Sequence, residues 1–160
     1  INHLADYPED CTGKKVVVVG GGAVGLDVVE YFAPKGAEVS IVEMMSQIGK
    51  DLDPVSKCGT NTLMREHNVN QMTETALCEV KADSFTVKVD GEEKDLPFDY
   101  GFVCLGMRAN APVLDEIREA FADTNVEIIN IGDSVRARRI IDGVQEGHNI
   151  LNVLADHEYL

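Results

Sequence analysis

Hydrophobic positions change their spacing several times along the chain, and each change marks an element. Lys15-Val-Val-Val-Val19 is apolar without alternation, the pattern of a strand covered on both faces. Gly20-Gly21-Gly22-Ala23-Val24-Gly25 interrupts it, and Val24, Val28 and Phe32 then recur at helical spacing. Pro34-Lys-Gly-Ala reads as the helix exit, and Glu38-Val-Ser-Ile-Val-Glu43 as a second strand. The whole is a β-α-β unit of about 30 residues.

Residues 44–53 read as a loop, after which Asp53 can cap a helix with Pro54 in its first position. Val55, Leu63 and Met64 mark that helix weakly; it ends near His67-Asn68, and residues 69–73 form a short third strand. From Ala76 the period becomes two. Ala76, Cys78 and Val80 would share one face, with Leu77 and Glu79 on the other. Phe85, Val87 and Val89 then alternate with Thr86, Lys88 and Asp90, with turns at residues 82–84 and at Asp90-Gly91. The pattern predicts an antiparallel meander beside a parallel α/β core.

Tyr100–Leu105 reads as a further buried strand ended by Gly106. Residues 113–122 suit a short helix. Residues 126–131 suit a strand ending in Gly132-Asp133. A last helix starts near Arg138 and runs toward Ala155, with an apolar stripe of Ile140, Ile141, Val144, Leu151 and Leu154. Gly143 and Gly147, one turn apart on it, could mark a close contact. The expected fold class is α/β: a Rossmann-like parallel sheet with an antiparallel meander, in three layers.

Composition narrows the function. The 160 residues carry a net charge of −14, which argues against nucleic acid or an anionic membrane as partner. A dinucleotide is compatible, because backbone N–H groups can hold its phosphates. No apolar run approaches the roughly 20 residues of a transmembrane helix, and no signal peptide is visible. The chain begins with Ile, as expected of a piece of a longer protein. Cys11, Cys58, Cys78 and Cys104 show no metal or iron–sulfur spacing and read as buried free thiols of a cytoplasmic protein.

The glycines bring in chemistry. Gly20, Gly22 and Gly25 stand at G-x-G-x-x-G between a strand and a helix, the context of a dinucleotide fingerprint. The first permits the tight turn, the second lets the backbone approach a diphosphate, and the third brings helix and strand together. The helix N-terminus offers free N–H groups to the phosphates. Glu43 lies 18 positions after Gly25, where an acid accepts hydrogen bonds from the adenosine ribose. A carboxylate there repels a 2′-phosphate. Met44, Met45, Ser46 and Gln47 follow with no Arg or Lys, so the expected cofactor is NAD(H) rather than NADP(H). Asp27, on the first turn of the helix, reads by spacing alone as an acid suited to the helix dipole.

No nucleophile elbow, P-loop or H-E-x-x-H motif occurs, and none of the four histidines has a visible catalytic partner. Tyr31 and Lys35 have the spacing of a short-chain dehydrogenase pair, but they lie far from the glycine turn and Pro34 separates them. No catalytic residue is assigned.

Three stretches together resemble a known family: residues 16–27, residues 103–110 (Val-Cys-Leu-Gly-Met-Arg-Ala-Asn) and residues 129–147 (Ile-Asn-Ile-Gly-Asp-Ser-Val-Arg-Ala-Arg-Arg-Ile-Ile-Asp-Gly-Val-Gln-Glu-Gly). They are similar to the pyridine-nucleotide-dependent flavin oxidoreductases with two dinucleotide domains. The last stretch most resembles the branch with 2,4-dienoyl-CoA reductase, 2-enoate reductase and related NADH:flavin oxidoreductases, in which a barrel of the Old Yellow Enzyme type precedes those domains.

The resemblance implies residues 1–13 as a linker, 14–110 as the NAD(H)-binding domain and 111–160 as the returning segment of an incomplete FAD domain. It implies Gly132 and Asp133 at the flavin cofactor's ribityl or diphosphate region, with Arg138 and Arg139 nearby. Asp27 would take the place of an acid, usually Glu, near the nicotinamide. Gly106 and Met44 complete the expected cofactor-binding set. The implied function is delivery of hydride from NADH to a flavin, with an activated alkene of the enoate or enoyl-CoA type as final substrate. Implied partners are the remaining FAD and flavin-barrel domains, a small-molecule substrate, and a second copy in a homodimer. FAD would belong to the intact parent, since the FAD domain's own glycine motif is absent from the chain. The alternative reading is a non-catalytic NAD(H)-binding or redox-sensing module.

Overall fold

The computed structural model describes residues 4–109, 111–126, 128–150 and 152. These fall into two compact units that divide between Gly106 and Met107.

The first unit is built on the strand β1 (Lys15–Val19). The helix α1 (Ala23–Phe32) follows and leads into β2 (Glu38–Val42). Pro34 opens a single 3-10 turn after α1, and Gly36, at φ +82°, closes it in the left-handed region that favours glycine. The helix α2 (Pro54–Glu66) and the strands β3 (Asn70–Met72), β4 (Ala76–Val80), β5 (Ser84–Val89), β6 (Glu92–Pro97) and β7 (Tyr100–Val103) complete the unit. Four strands form a parallel sheet in the order β3-β2-β1-β7, and β4-β5-β6 form an antiparallel sheet. β1 is therefore central, pairing Val17 with Ser40 on one side and with Gly101 on the other.

The four valines of β1 divide between two cores. Val16 and Val18 pack with Leu26, Val28, Val29 and Phe32 of α1, Val39 and Ile41 of β2, and Met64 of α2. Val17 and Val19 pack with Val42, Phe85, Val87 and Leu96, the inner face of the meander. Helices, parallel sheet and meander thus form three layers, the α/β arrangement expected. All four valines are at most 3% exposed, and burying each stabilises the fold by about 1.5–3 kcal/mol.

Several local expectations change. The leading segment packs down: Tyr7 sits edge-on to Phe32 and Tyr100, and Cys11 is fully buried. Cys58 and Cys78 are exposed and Cys104 is half-buried, so the thiols are not uniformly internal. Val24 is 43% exposed, because it lies in the first turn of α1, while Gly25, Leu26, Val28, Val29 and Phe32 face the core. In β4 Leu77 pairs with Val87 and joins the meander core, Ala76, Cys78 and Val80 are exposed, and the register slips between Leu77 and Glu79. Leu77 thus keeps the face opposite Ala76 and Cys78 that alternation expects, and the bulge after it interrupts the pairing before Glu79. β6 was not marked by apolar alternation, and of its residues only Leu96 is buried. β7 is an edge strand, with Gly101 and Val103 exposed, rather than a buried one.

The second unit contains the helices α3 (Ala111–Ala120) and α4 (Ile140–His148) and a 3-10 turn at Gly132–Ser134. Residues 126 and 128–131 form no strand; a strand needs a neighbour to satisfy its backbone, and no other strand occurs among the described residues of this unit. Residue 127 and the continuation of the last helix through Leu151 and Leu154 to Ala155 lie outside the described residues. Ile140, Ile141 and Val144, the expected stripe, are each at least 50% exposed. Gly143 does make the close contact, facing the Gly132 Cα, whereas nothing approaches Gly147.

Candidate functional site

The glycine turn stands at the carboxyl end of β1, where the strand order reverses, β2 lying on one side and β7 on the other. Such an end is the place where open α/β sheets take ligands. The strand hydrogen bonding runs right up to it. Gly20 N–H donates to the Val42 carbonyl at 2.8 Å, and Cys104 N–H to the Val19 carbonyl at 2.7 Å. Gly20 has φ +108°, and a Cβ there would overlap the Cys104 carbonyl. A Cβ on Gly25 would overlap the Gly20 carbonyl. These two positions are closed by backbone, so only glycine fits.

Gly22 is different. It is the N-cap of α1, at φ −80° and ψ −177°, with no side chain capping the helix. A Cβ on Gly22 would meet nothing within 4 Å. Gly22, Ala23 and Val24 are all exposed. The first N–H groups of α1 have no partner within the helix, and such a helix N-terminus can receive an anion.

Glu43 follows β2 directly and is held from several sides. Its N–H donates to the Met72 carbonyl at 2.8 Å, and its carbonyl accepts from Thr75 N–H at 3.0 Å. Its carboxylate accepts from Gly21 N–H at 2.7 Å through Oε2 and from Met45 N–H at 2.8 Å through Oε1. Each oxygen keeps a free lone pair, so the group can still accept from a vicinal diol. Met44 beside it is 69% exposed.

Asp27 lies past the first turn of α1 rather than in it, where the helix dipole no longer favours its charge. Partial burial, and secondarily the charge of Glu30, raise its carboxyl above the ordinary aspartate value. Burial likewise raises the Cys104 thiol, with Asp27 adding to the effect. Gly106 has φ +86° and nothing within 4 Å of a Cβ. The structure thus brings Gly20, Gly21, Gly22, Ala23, Val24, Gly25 and Glu43 into one turn-and-acid arrangement. Met45, Thr75 and Gly49, whose N–H donates to the Gly21 carbonyl at 2.8 Å, support it without having been singled out. Gly49 carried the one signal that could have found it, a glycine inside the loop that follows β2.

Gly132 and Asp133 lie in the second unit. Gly132 N–H donates to Glu146 Oε2 at 2.6 Å, and Glu146 Oε1 pairs with Arg138 Nη2 at 2.6 Å. Asp133 Oδ1 accepts from Arg138 N–H at 3.2 Å. Arg139, the residue before α4, donates its N–H to Asp142 at 3.1 Å. This turn is therefore held by its own helix, and Gly132 N–H is already engaged. No cluster of metal-ligating side chains occurs among the described residues. No helix among them is long and apolar enough to cross a membrane.

The sequence profile of the pyridine nucleotide-disulphide oxidoreductases matches residues 2–133. An NADH oxidase of Thermoanaerobacter brockii is 30% identical over 137 residues, covering 86% of this chain and 21% of that protein. A bilirubin reductase of Mediterraneibacter gnavus is 32% identical over 147 residues, covering 91% of this chain and 22% of that protein. The chain therefore spans about a fifth of the length of these curated relatives. Among solved structures, a 2-naphthoyl-CoA reductase shares the fold with a TM-score of 0.69 at 23% identity, over 93% of this chain and 22% of that one. With the glycine turn, the uncapped helix and the acid after β2 in place, the chain belongs to the pyridine nucleotide-disulphide oxidoreductase family, which implies NAD(H) and FAD as its cofactors.

Proposed function

We propose that this chain is the NAD(H)-binding part of a multi-domain flavin oxidoreductase. One observation carries the reading: the Glu43 carboxylate is fixed on Gly21 N–H at 2.7 Å, beside a helix N-terminus that no side chain caps. Gly22, Ala23 and Val24 would hold the diphosphate through backbone N–H groups. Glu43 would accept from the adenosine ribose hydroxyls, and the exposed Met44 would lie along the adenine side. The open space above Gly22 supports the fit, since a diphosphate needs backbone approach with no Cβ in the way. When bound, NADH supplies a hydride from the nicotinamide that FAD accepts.

The second unit is read as the returning segment of an FAD domain, with Gly132 and Asp133 on the flavin side. Its apolar side chains support this reading, because Ile117, Phe121, Val126, Val135, Ile140 and Val144 are each at least 42% exposed. They would be covered by the rest of that domain in the parent. The branch with enoate and dienoyl-CoA reductases, preceded by a flavin barrel and acting on an activated alkene, is the finer form of the proposal. The isolated chain is expected to bind NADH without turning over substrate.

Calorimetric titration of the intact chain with NADH and NADPH tests the reading. NADH should bind more tightly, and Glu43→Gln, which removes the charge that repels a 2′-phosphate, should narrow the difference by about tenfold or more. NADPH binding at least as tightly as NADH to the unaltered chain would overturn the assignment of Glu43.

A further inference from the structure

The loop between β2 and α2 does more than join them. Ile48 is 7% exposed and belongs to the core on the helix side of the sheet. Its Cγ1 stands 3.2 Å from the point where a Gly21 Cβ would be, so it is packed directly against the glycine turn. The next residue, Gly49, has φ +64° and donates its N–H to the Gly21 carbonyl at 2.8 Å. Leu52 N–H then donates to the Gly49 carbonyl at 3.2 Å, and Asp53 caps α2 by accepting from Val55 and Ser56 N–H. The loop is thus anchored on both sides of its contact with the turn.

The contact matters because of peptide geometry. No cis peptide bond occurs among the described residues, so the Gly21 carbonyl and the Gly22 N–H of the same peptide point in opposite directions. With its carbonyl held by Gly49, that peptide aims the Gly22 N–H away from the loop. Gly22 is the position whose surroundings are open. A peptide rotation would instead turn the carbonyl oxygen toward an incoming phosphate. Glycine neighbours make such a rotation cheap, since Gly21 and Gly22 lack the side chains that would resist it.

We propose that Gly49 is a positioning residue for the diphosphate of the dinucleotide, its N–H fixing the Gly21–Gly22 peptide with the Gly22 N–H outward. The inference rests on the reading of the glycine turn as the NAD(H) site. Gly49 touches no cofactor atom; it acts through the peptide it holds. A bound diphosphate then meets a donor that is already oriented, with no reorganisation on binding.

The test compares Gly49→Val and Gly49→Asn in the intact chain. Valine disfavours the left-handed conformation that presents the Gly49 N–H, whereas asparagine tolerates it. In folded Gly49→Val, NADH and ADP-ribose, which share the diphosphate, should both bind about tenfold more weakly, the equivalent of one charge-assisted hydrogen bond. The NADPH-to-NADH preference should stay unchanged, because Glu43 is held by a different N–H. Gly49→Asn should remain within about threefold of the parent in affinity. Unchanged NADH and ADP-ribose affinity in a folded Gly49→Val would overturn the proposal. Two measurements on the unaltered chain stand even if that variant does not fold. The Gly49 amide should be protected from hydrogen exchange in the free protein, and the Gly22 amide resonance should move downfield on saturation with NADH. An unprotected Gly49 amide, or an unmoved Gly22 resonance at saturation, would each overturn it. Failure of the unaltered chain to bind NADH or ADP-ribose would overturn the NAD(H) reading itself, while Gly49 protection would still report whether the clamp exists.

Discussion

Gly25 approaches the Gly20 carbonyl so closely that any Cβ on Gly25 would overlap the oxygen. The neighbour is backbone, so no side-chain rotation can relieve the clash. α1 would have to move away from β1, disturbing Val18, which is fully buried beneath it. Gly25→Ala is therefore expected to destabilise the chain by about 1–3 kcal/mol or more, as overpacking of a close-packed interior does. Thermal denaturation against the parent measures it, and an unchanged midpoint would contradict the geometry.

Gly22→Ala should behave in the opposite way. Nothing lies within 4 Å of its Cβ, and φ −80° with ψ −177° is allowed for alanine. The melting midpoint should stay within about 2 °C of the parent, in keeping with a ΔΔG of a few tenths of a kcal/mol. NADH affinity should fall by about tenfold or more, because the new methyl occupies the diphosphate's approach. Paired denaturation and calorimetry separate the two effects. Loss of stability with affinity intact would remove Gly22 from the site.

The contrast between these glycines explains what could be read from the chain. The spacing G-x-G-x-x-G and the acid at Glu43 are local patterns, and local hydrogen bonding and close approach realise them directly. The unbroken apolar run of β1 likewise told that both faces are covered, although not that Val16 and Val18 meet helices while Val17 and Val19 meet the meander. Leu77 stands on the face opposite Ala76, Cys78 and Val80, as alternation expects, but neither the face the core covers nor the bulge between Leu77 and Glu79 is written in the pattern. Tyr100–Leu105 and the stripe of α4 show a further limit. Hydrophobicity reports which surface can be buried, not which part of a protein covers it. Gly49 escaped notice for another reason: its contact with Gly21 spans 28 positions and leaves no periodic trace.

The cysteines offer a test of the fold that needs no ligand. Cys58 and Cys78 are exposed, Cys104 is half-buried with its thiol pushed up by burial, and Cys11 is fully buried. Access favours the first pair, and because the thiolate is the reacting species the raised thiol slows Cys104 further. A chromogenic disulfide reagent at neutral pH should modify two thiols rapidly, with the remaining two following slowly or only on unfolding. Mass mapping should place the rapid pair at Cys58 and Cys78. Fast modification of Cys11 would show that the leading segment does not pack beside Phe32.

Asp27 sets a pH dependence whose sign differs from that of most acids here. Asp53, Asp95 and Asp99 are lowered, Asp53 first by the Ser56 hydroxyl, Asp95 by Thr86 and Asp99 by Lys15 N–H. Their contributions are present above the ordinary aspartate value and are lost as pH falls through their native pKa values. Asp27 is raised, so the folded chain holds its proton more tightly than the unfolded chain does. Its contribution is full below the ordinary value of 3.8 and is lost as pH rises through the raised native value. At neutral pH the ionised Asp27 therefore opposes folding, by an amount limited by its exposure to solvent. Asp27→Asn should melt at a modestly higher temperature than the parent at pH 7. The difference should shrink as pH falls through the raised native value and vanish below 3.8, where the aspartate is protonated in both the folded and the unfolded chain. Comparing the two melting curves at each pH cancels the lowered acids and isolates Asp27. A variant less stable than the parent at pH 7 would mean that the carboxylate is held by a favourable partner, in which case its position near α1 serves charge rather than suffering it.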